Sequence, residues 1–279
     1  MKNVSIKNHD WELTLSPKVG MNPISLRYRG TPILREPSDE NALLDEPVLY
    51  GMPILLPANR TKNARFTFED KEYCLPMNEP QFKNHLHGRL YDAPFTVLSH
   101  GRTQVLSVLE NKGEYYPFPF RLAFADELTE DGYHRCITLT NTGNTALPFT
   151  LALHTTFVEP KHFSVPLRER FVCDACHVPT GELLPLNDRE ASYSEGFSPD
   201  GSRISGFYKA GKGAALLDGW RFTVSDDFDE WILYNGNGNE GYLCLEPQCG
   251  EVNGLNTDGH RVLQAGESMR FTVSVICDR

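Results

Sequence analysis

The sequence lacks the features that direct a protein into or across a membrane. No apolar run among its 279 residues is long enough to span a bilayer, since a spanning helix needs about 20 apolar residues. The first twenty residues carry polar and charged side chains throughout, without the apolar core of a secretory signal. We therefore expect a protein that is neither exported nor anchored, and a cytoplasmic location.

Clusters of lysine and arginine are also absent. The chain has 27 basic and 37 acidic residues, which give a formal net charge of −10. Because nucleic acids and anionic membranes are bound through basic patches, we expect neither as a partner. A neutral small molecule fits this charge better, and we expect a monomer or a homodimer.

The cysteines do not form the pattern of a disulfide framework. There are seven, an odd number scattered from Cys74 to Cys277, which suits a reducing compartment. Residues 173–177 match the CxxCH pattern of c-type haem attachment through Cys173, Cys176 and His177. Haem, a metal site and coincidence are the three interpretations. We favour coincidence and expect no cofactor, since no second CxxC completes a four-ligand zinc site.

Helix signals are few. Residues 38–45 predict one short helix with Ser38 as its cap, whereas most of the chain consists of short β-like runs punctuated by glycine and proline. Residues 66–75 predict a hairpin, and Asp131-Gly132 predicts a tight turn between two further strands. These patterns indicate an all-β antiparallel fold. Without an internal repeat or linker, residues 1–279 are expected to form a single domain.

Two histidines lie two residues apart at residues 84–88 (NHLHG). Side chains alternate faces in a strand, so His85 and His87 are predicted to point to the same side. Two interpretations are open. Both histidines are structural residues that are exposed or hydrogen-bonded, or the pair belongs to a pocket that contains other acid–base groups.

Residues 51–60 (GMPILLPANR) place two prolines around an apolar triplet. We expect an irregular segment that crosses the core and reaches the surface at Asn59 and Arg60. Arg60 then follows a rigid apolar stem that fixes its guanidinium, or it is an ordinary surface arginine in a loop.

His154 and Glu246 each lie on the more polar face of an apolar strand. In residues 146–157 the odd-numbered positions are mostly bulky, whereas the even-numbered ones are small or polar and include His154. This predicts the floor of a binding cleft or a solvated outer face. Glu246 shares a face with Cys244 and precedes Pro247, which is expected to end the strand. Partial burial there should raise the pKa of Glu246.

Taken in order, residues 51–60, 84–88, 153–154 and 244–248 resemble the aldose 1-epimerase (galactose mutarotase) family. The similarity runs over most of the chain. It implies a large antiparallel β-sandwich (galactose mutarotase-like) with few short helices and a sugar cleft on the concave face of one sheet. It also implies an isomerase that interconverts the α and β anomers of a free aldose without a metal or cofactor.

Carried over position by position, the resemblance implies catalytic roles for Glu246 as general base and His154 as general acid. It implies that Arg60 and His87 bind the substrate. The chemistry suits these residue types, because ring opening removes the proton of the C1 hydroxyl while the ring oxygen gains one. A Glu246 carboxylate and a His154 imidazolium can do both.

Departures from the family pattern leave the preferred sugar open. Arg89 replaces a glycine. The sequence does not place the acidic residue that grips sugar hydroxyls in the family, for which Asp200 is a candidate. A hexose-6-phosphate 1-epimerase is one alternative, with Arg89 or Arg65 binding the phosphate. A non-catalytic carbohydrate-binding β-sandwich is another. The joint presence of an acid and a base argues against it.

Overall fold

A computed structural model describes residues 2–278, in which short strands account for most of the regular structure. The first half of the chain forms β1 (Val4–Lys7), β2 (Trp11–Ser16), β3 (Asn22–Tyr28), β4 (Thr31–Pro32), α1 (Glu40–Asp45), β5 (Ile54–Leu55), β6 (Arg60–Lys62), β7 (Arg65–Phe68), β8 (Lys71–Cys74), β9 (Asn84–Leu86), β10 (Thr96–His100), β11 (Gln104–Asn111), β12 (Phe120–Leu128) and β13 (Gly132–Asn141). The second half forms β14 (Leu147–Phe149), β15 (Leu151–Leu153), β16 (Thr155–Val158), β17 (Phe163–Ser164), β18 (Leu167–Cys173), β19 (Pro179–Pro185), α2 (Asp188–Glu195), β20 (Ser205–Ala210), β21 (Ala215–Leu217), β22 (Trp220–Val224), β23 (Glu230–Tyr234), β24 (Tyr242–Cys249), β25 (Arg261–Leu263) and β26 (Ser268–Cys277). Single 3-10 turns lie at Leu90–Asp92 and Gly254–Asn256.

Two large antiparallel sheets organise these strands. Sheet 1 has the order β10-β11-β12-β13-β26-β22-β21-β17. Sheet 2 has the order β19-β18-β20-β23-β24-β15-β5, and β16 also pairs with β24. Strands β1–β4 form a smaller sheet, and the remaining strands form two-stranded ribbons.

Aromatic side chains join the two large sheets across one continuous core. Phe222 of sheet 1 packs on Phe157 and Trp231 of sheet 2, with ring centroids 5.3 and 5.8 Å apart. Buried and exposed positions alternate along antiparallel strands, so the buried positions of each sheet form an apolar surface that faces the other sheet. The predicted all-β antiparallel sandwich with few short helices is confirmed. Among residues 2–278, no helix has the length and apolar character needed to cross a bilayer.

The helices correct two sequence expectations. The cap of α1 is Asp39 rather than Ser38, because the Asp39 carboxylate accepts the Ala42 N–H at 2.9 Å. Helix α2 was not predicted from the sequence. It begins with a capping box in which Asn187 and Glu190 satisfy each other's backbone N–H groups, an N-x-x-E signal that is visible in the sequence.

The continuous strand expected over residues 146–157 is wrong, because the structure divides it into β14, β15 and β16. Pairing of Ala152 with Gln248 and of Thr155 with Leu245 keeps a single register with β24. This register sets Leu153 opposite Pro247, which has no N–H to donate, so the ladder is interrupted there. Pro247 does not end β24, contrary to expectation, since the strand continues to Cys249.

The face of this segment opposite the core is buried rather than solvated. Thr150, His154 and Thr156 are at most 4% exposed, and Ala152 packs with Leu55 and Ala58. The irregular segment predicted at residues 51–60 therefore lies inside the protein, and its Ile54–Leu55 portion pairs with β15 as an edge of sheet 2. Of the two interpretations of the His154 face, the covered cleft floor is the one observed.

Candidate active site

Two rows of side chains cross one face of sheet 2, and their members other than Cys244 and Thr156 form the floor of a cavity. Strands β20, β23 and β24 pair so that Phe207, Ile232 and Glu246 lie side by side. The register between β24 and strands β15 and β16 places His154 next to Glu246, and these four residues form the first row. The neighbouring row consists of Ser205, Tyr234, Cys244 and Thr156. Antiparallel register therefore brings Glu246 and His154 together from distant parts of the chain.

A cavity of about 380 Å³ lies on this floor. Its walls come from the loop after α1, the start of β6, the end of β9 and the β18–β19 turn, through Leu49, Asn59, Arg60, His87 and His177. A site of this size, lined by both polar and apolar side chains, suits a small ligand such as a monosaccharide.

Glu246 and His154 are in direct contact at the bottom of the cavity. The Glu246 Oε1 and His154 Nε2 atoms are 3.3 Å apart, and the two residues are 2% and 4% exposed. Burial raises the pKa of the Glu246 carboxyl to about 8, against the opposing charge of Arg60. Burial also lowers the pKa of the His154 imidazole to about 4. The raised Glu246 pKa agrees in direction with the sequence prediction, and the side chain is fully rather than partly buried.

Between these two values the pair holds one proton. Burial disfavours both charged forms, so the proton resides on Glu246 and leaves His154 neutral. The carboxylate and imidazolium expected from the sequence differ from this state by transfer of that proton across the 3.3 Å contact. The net charge of the pair is the same in both arrangements.

Arg60 is held beside the pair by a buried carboxylate. Its Nε and Nη2 atoms donate to Glu79 at 2.9 and 2.8 Å, and Asn84 donates to the same carboxylate. The Arg60 side chain is 16% exposed, which excludes the ordinary surface arginine. In this bidentate pairing Nε and Nη2 of Arg60 are both bonded to Glu79. The third nitrogen, Nη1, does not bond to Glu79 and lies 3.4 Å from Asn59 Oδ1.

His87 lines the cavity, but His85 does not. Strand β9 ends at Leu86, and His87 adopts a left-handed conformation with φ 66°, so the alternation that predicted a shared face fails at this residue. His87 instead packs edge-on against His154 with 5.1 Å between ring centroids. His85 is buried and its Nδ1 bonds to the Pro76 carbonyl oxygen.

Two close contacts hold His87 in place. The backbone N–H of His87 donates to the backbone carbonyl oxygen of Asn59 at 2.8 Å. The following Gly88 passes so close to the cis Leu56-Pro57 segment that a Cβ would lie 2.1 Å from the Leu56 oxygen. Burial and the neighbouring His154 hold the pKa of His87 well below its usual range. His87 is therefore a neutral hydrogen-bonding group at the cavity wall.

The CxxCH sequence folds as a turn. Asp174 accepts the backbone N–H groups of Cys176 and Val178, and the Cys176 oxygen accepts a hydrogen bond from Asn84. In the described part of the chain, Cys173, Cys176 and His177 form no group of ligand atoms close enough to share a metal ion. His177 lines the cavity instead, a position that sequence reasoning missed.

The charged residues considered for sugar specificity lie elsewhere. Arg65 pairs with Glu72 and Arg89 pairs with Asp92, both outside the cavity, so neither is a phosphate ligand there. Asp200 is exposed in a turn and does not line the cavity either. Arg203 does line it and was not predicted.

Comparisons with known proteins agree with this fold. Residues 17–275 match the family model described as aldose 1-epimerase. An uncharacterised Escherichia coli K12 protein, YphB, is 28% identical over 127 residues, 46% of this chain and 42% of that protein. The alignment thus spans less than half the length of this curated relative.

Solved structures match over nearly the whole chain. A galactose mutarotase-like protein from Clostridium acetobutylicum superposes with a TM-score of 0.89 at 21% identity, covering 97% of this chain and 93% of its own. The galactose 1-epimerase of Lactobacillus acidophilus gives a TM-score of 0.78 at 16% identity, covering 98% and 92%. At such low identity these likenesses establish the fold.

Proposed function

Because the chain belongs to the aldose 1-epimerase family, we propose that it interconverts the α and β anomers of a free aldose by acid–base catalysis. One observation carries the proposal: the Glu246 carboxyl and the His154 imidazole lie 3.3 Å apart at the floor of a sugar-sized cavity. The two oxygens that react in a pyranose are bonded to the same carbon. An acid and a base that serve them must therefore be neighbours, as these two residues are.

Ring opening uses the pair in its ionised arrangement. The Glu246 carboxylate removes the proton of the C1 hydroxyl while His154 gives its Nε2 proton to the ring oxygen. The bond from C1 to the ring oxygen breaks and leaves a C1 aldehyde and a free C5 hydroxyl. Rotation about the C1–C2 bond turns the other face of the aldehyde toward that hydroxyl.

Ring closure restores both residues. The C5 hydroxyl attacks C1 and returns its proton to His154, while Glu246 gives its proton to the aldehyde oxygen, which becomes the new C1 hydroxyl. Each turnover starts and ends with one proton on the pair, so the reaction needs no cofactor. Arg60 and His87 hold the sugar on this floor through hydrogen bonds, which keeps the reacting atoms aligned.

The test is polarimetry of freshly dissolved α-D-glucose and α-D-galactose with the wild-type protein and Glu246→Gln. We expect Glu246→Gln to lower the rate at least about a hundredfold, the scale of general acid–base contributions. Glu230→Gln is the matched control, because Glu230 is equally buried on β23 and the pKa of its carboxyl is also raised to about 8. Glu230 does not line the cavity.

Two outcomes contradict the proposal. Near wild-type mutarotation by Glu246→Gln removes this residue from the mechanism. Saturable sugar binding without any acceleration of mutarotation by the wild-type protein identifies a carbohydrate-binding module instead.

Arg203 favours a second candidate substrate, a hexose 6-phosphate. It lies on the cavity wall, and within residues 2–278 no carboxylate forms a salt bridge with it. A guanidinium there can bind a phosphate through paired hydrogen bonds. If the substrate is phosphorylated, Arg203→Gln lowers kcat/KM for glucose 6-phosphate and leaves that for glucose unchanged. An equal effect on both sugars contradicts this candidate.

A further inference from the structure

Cys244 adds a third metal-binding side chain to the acid–base pair. Its Sγ, a ring nitrogen of His154 and a carboxylate oxygen of Glu246 all lie within 4.8 Å of one another. The cause is strand geometry, since Cys244 and Glu246 are two residues apart on one face of β24 and His154 faces Glu246 across the ladder. All three residues are at most 4% exposed.

We propose that this cluster is an inhibitory site for Zn²⁺. Thiolate sulfur, imidazole nitrogen and carboxylate oxygen are the three donor types that zinc prefers, at about 2.0–2.3 Å. Tetrahedral bonds of that length separate ligand atoms by about 3–4 Å. Side-chain movements of about 1 Å therefore bring the cluster to this geometry.

The surroundings of the cluster leave room for a fourth ligand. His154 Nδ1 is buried without a hydrogen-bond partner in the described structure, so no protein hydrogen bond fixes the tautomer of the ring. The cavity opens above Glu246 and His154, which leaves a fourth position for water. Three protein ligands and one open position is the arrangement of zinc sites that exchange their fourth ligand.

Charge balance suits the burial of such a site. A Cys244 thiolate and a Glu246 carboxylate would supply two negative charges to a bound ion. Two anionic ligands and a neutral imidazole then cancel the charge of the ion, so that no net charge remains in the interior.

Inhibition follows if the proposed function is correct, and only this part of the inference rests on it. Zinc would occupy both the acid and the base, so metal and sugar would exclude each other. Activity should therefore survive exhaustive chelation, or rise if the purified protein carries zinc. The apparent Kd for zinc should rise in proportion to one plus the ratio of the sugar concentration to the Kd of the sugar.

The test uses Co²⁺ as a spectroscopic probe, alongside Zn²⁺ titration of mutarotation. For the wild-type protein we expect one equivalent of Co²⁺ to produce a thiolate-to-cobalt charge-transfer absorbance that Zn²⁺ displaces. Cys244→Ala should lose this absorbance, keep mutarotation and raise the inhibition constant for Zn²⁺ at least about tenfold. Cys244→Ser, which is closer in volume, serves as a second variant.

Cys249→Ala is the matched control, because Cys249 is equally buried on the same strand but lies outside the cluster. It should bind Co²⁺ and respond to Zn²⁺ as the wild type does. Equal Zn²⁺ inhibition of wild type and of both folded Cys244 variants overturns the site. Cobalt binding through Cys244 in a protein without mutarotase activity overturns the proposed function and leaves the site intact.

Discussion

At the residue scale, one physical cause sets the opposite proton affinities of Glu246 and His154. Burial disfavours a charge on either side chain, so the pKa of the acid rises to about 8 while the pKa of the imidazole falls to about 4. The pair carries a second proton below the lower value and none above the higher one. Catalysis requires one proton, so kcat/KM should follow a bell between limbs near pH 4 and pH 8.

His154 and His87 should affect this profile differently. His154→Asn removes the proposed acid, so we expect a large loss of activity and a residual profile without the alkaline limb. His87→Asn keeps the pair and should retain both limbs at a lower kcat/KM. Rates measured from pH 4 to 9 distinguish the variants. If only His87→Asn erased the alkaline limb, the roles of the two histidines would be exchanged.

Arg60 should affect both affinity and rate. Arg60→Ala removes a substrate donor, and we expect kcat/KM to fall by about one to three orders of magnitude. It also removes a positive charge that lowers the pKa of Glu246, so the alkaline limb should move to higher pH. Arg65→Ala is the control, because Arg65 is exposed and lies outside the cavity. A normal kcat/KM in Arg60→Ala contradicts a binding role.

Glu79 was not foreseen from the sequence. No local pattern connects it to Arg60, which it meets only through the folded β6–β9 ribbon. The left-handed backbone of His87 was equally hidden, since it depends on contacts with Asn59 and the Leu56-Pro57 segment. By contrast, Glu246 and His154 were found, because alternation along an apolar strand makes a single acidic or basic residue stand out.

At the scale of elements, period-two patterns correctly predicted two hairpins and the shared face of Cys244 and Glu246. Strands β7 and β8 and strands β12 and β13 pair as expected, with tight turns between them. The prediction of one continuous strand over residues 146–157 failed. The break between β15 and β16 depends on Pro247 facing Leu153, a cross-strand relation that a pattern within one segment cannot reveal.

Helix α2 offers a prediction that concerns stability alone. Asn187→Ala removes the capping box acceptor, so we expect the free energy of unfolding to fall by about 1 kcal/mol. Mutarotation should not change, because α2 lies outside the cavity. Urea denaturation measures the first effect and polarimetry the second. A loss of activity at unchanged stability would connect α2 to the site.

At the scale of the whole molecule, the buried pair makes stability depend on pH. Glu246 keeps its proton up to about pH 8 when folded but only to about 4.5 when unfolded, so unfolding releases a proton between these values. Stability therefore falls as pH rises through this window, by at most about 1.4 kcal/mol per pH unit. His154 acts in the opposite direction, and lowers stability as pH falls from 6.5 to about 4.

Glu246→Gln should therefore stabilise the protein while it removes activity. Its gain in melting temperature over the wild type should be small near pH 5 and larger at pH 8. Glu110→Gln, a change of an exposed carboxylate on β11, is the control. A gain that does not vary with pH contradicts a buried, protonated Glu246. Such a trade between stability and function is common at active sites.

The register of β24 also determines how activity reports on refolding. A shift of β24 by one residue would turn Glu246 and Cys244 into the apolar core and bring Leu245 to the cavity. Strand β24 pairs with the strands on either side of His154, which lie far away in the sequence. This pairing closes a long loop and is therefore expected to form late. Recovered mutarotation after dilution from denaturant should thus count only chains in the native register, whereas circular dichroism would also count misaligned sheets.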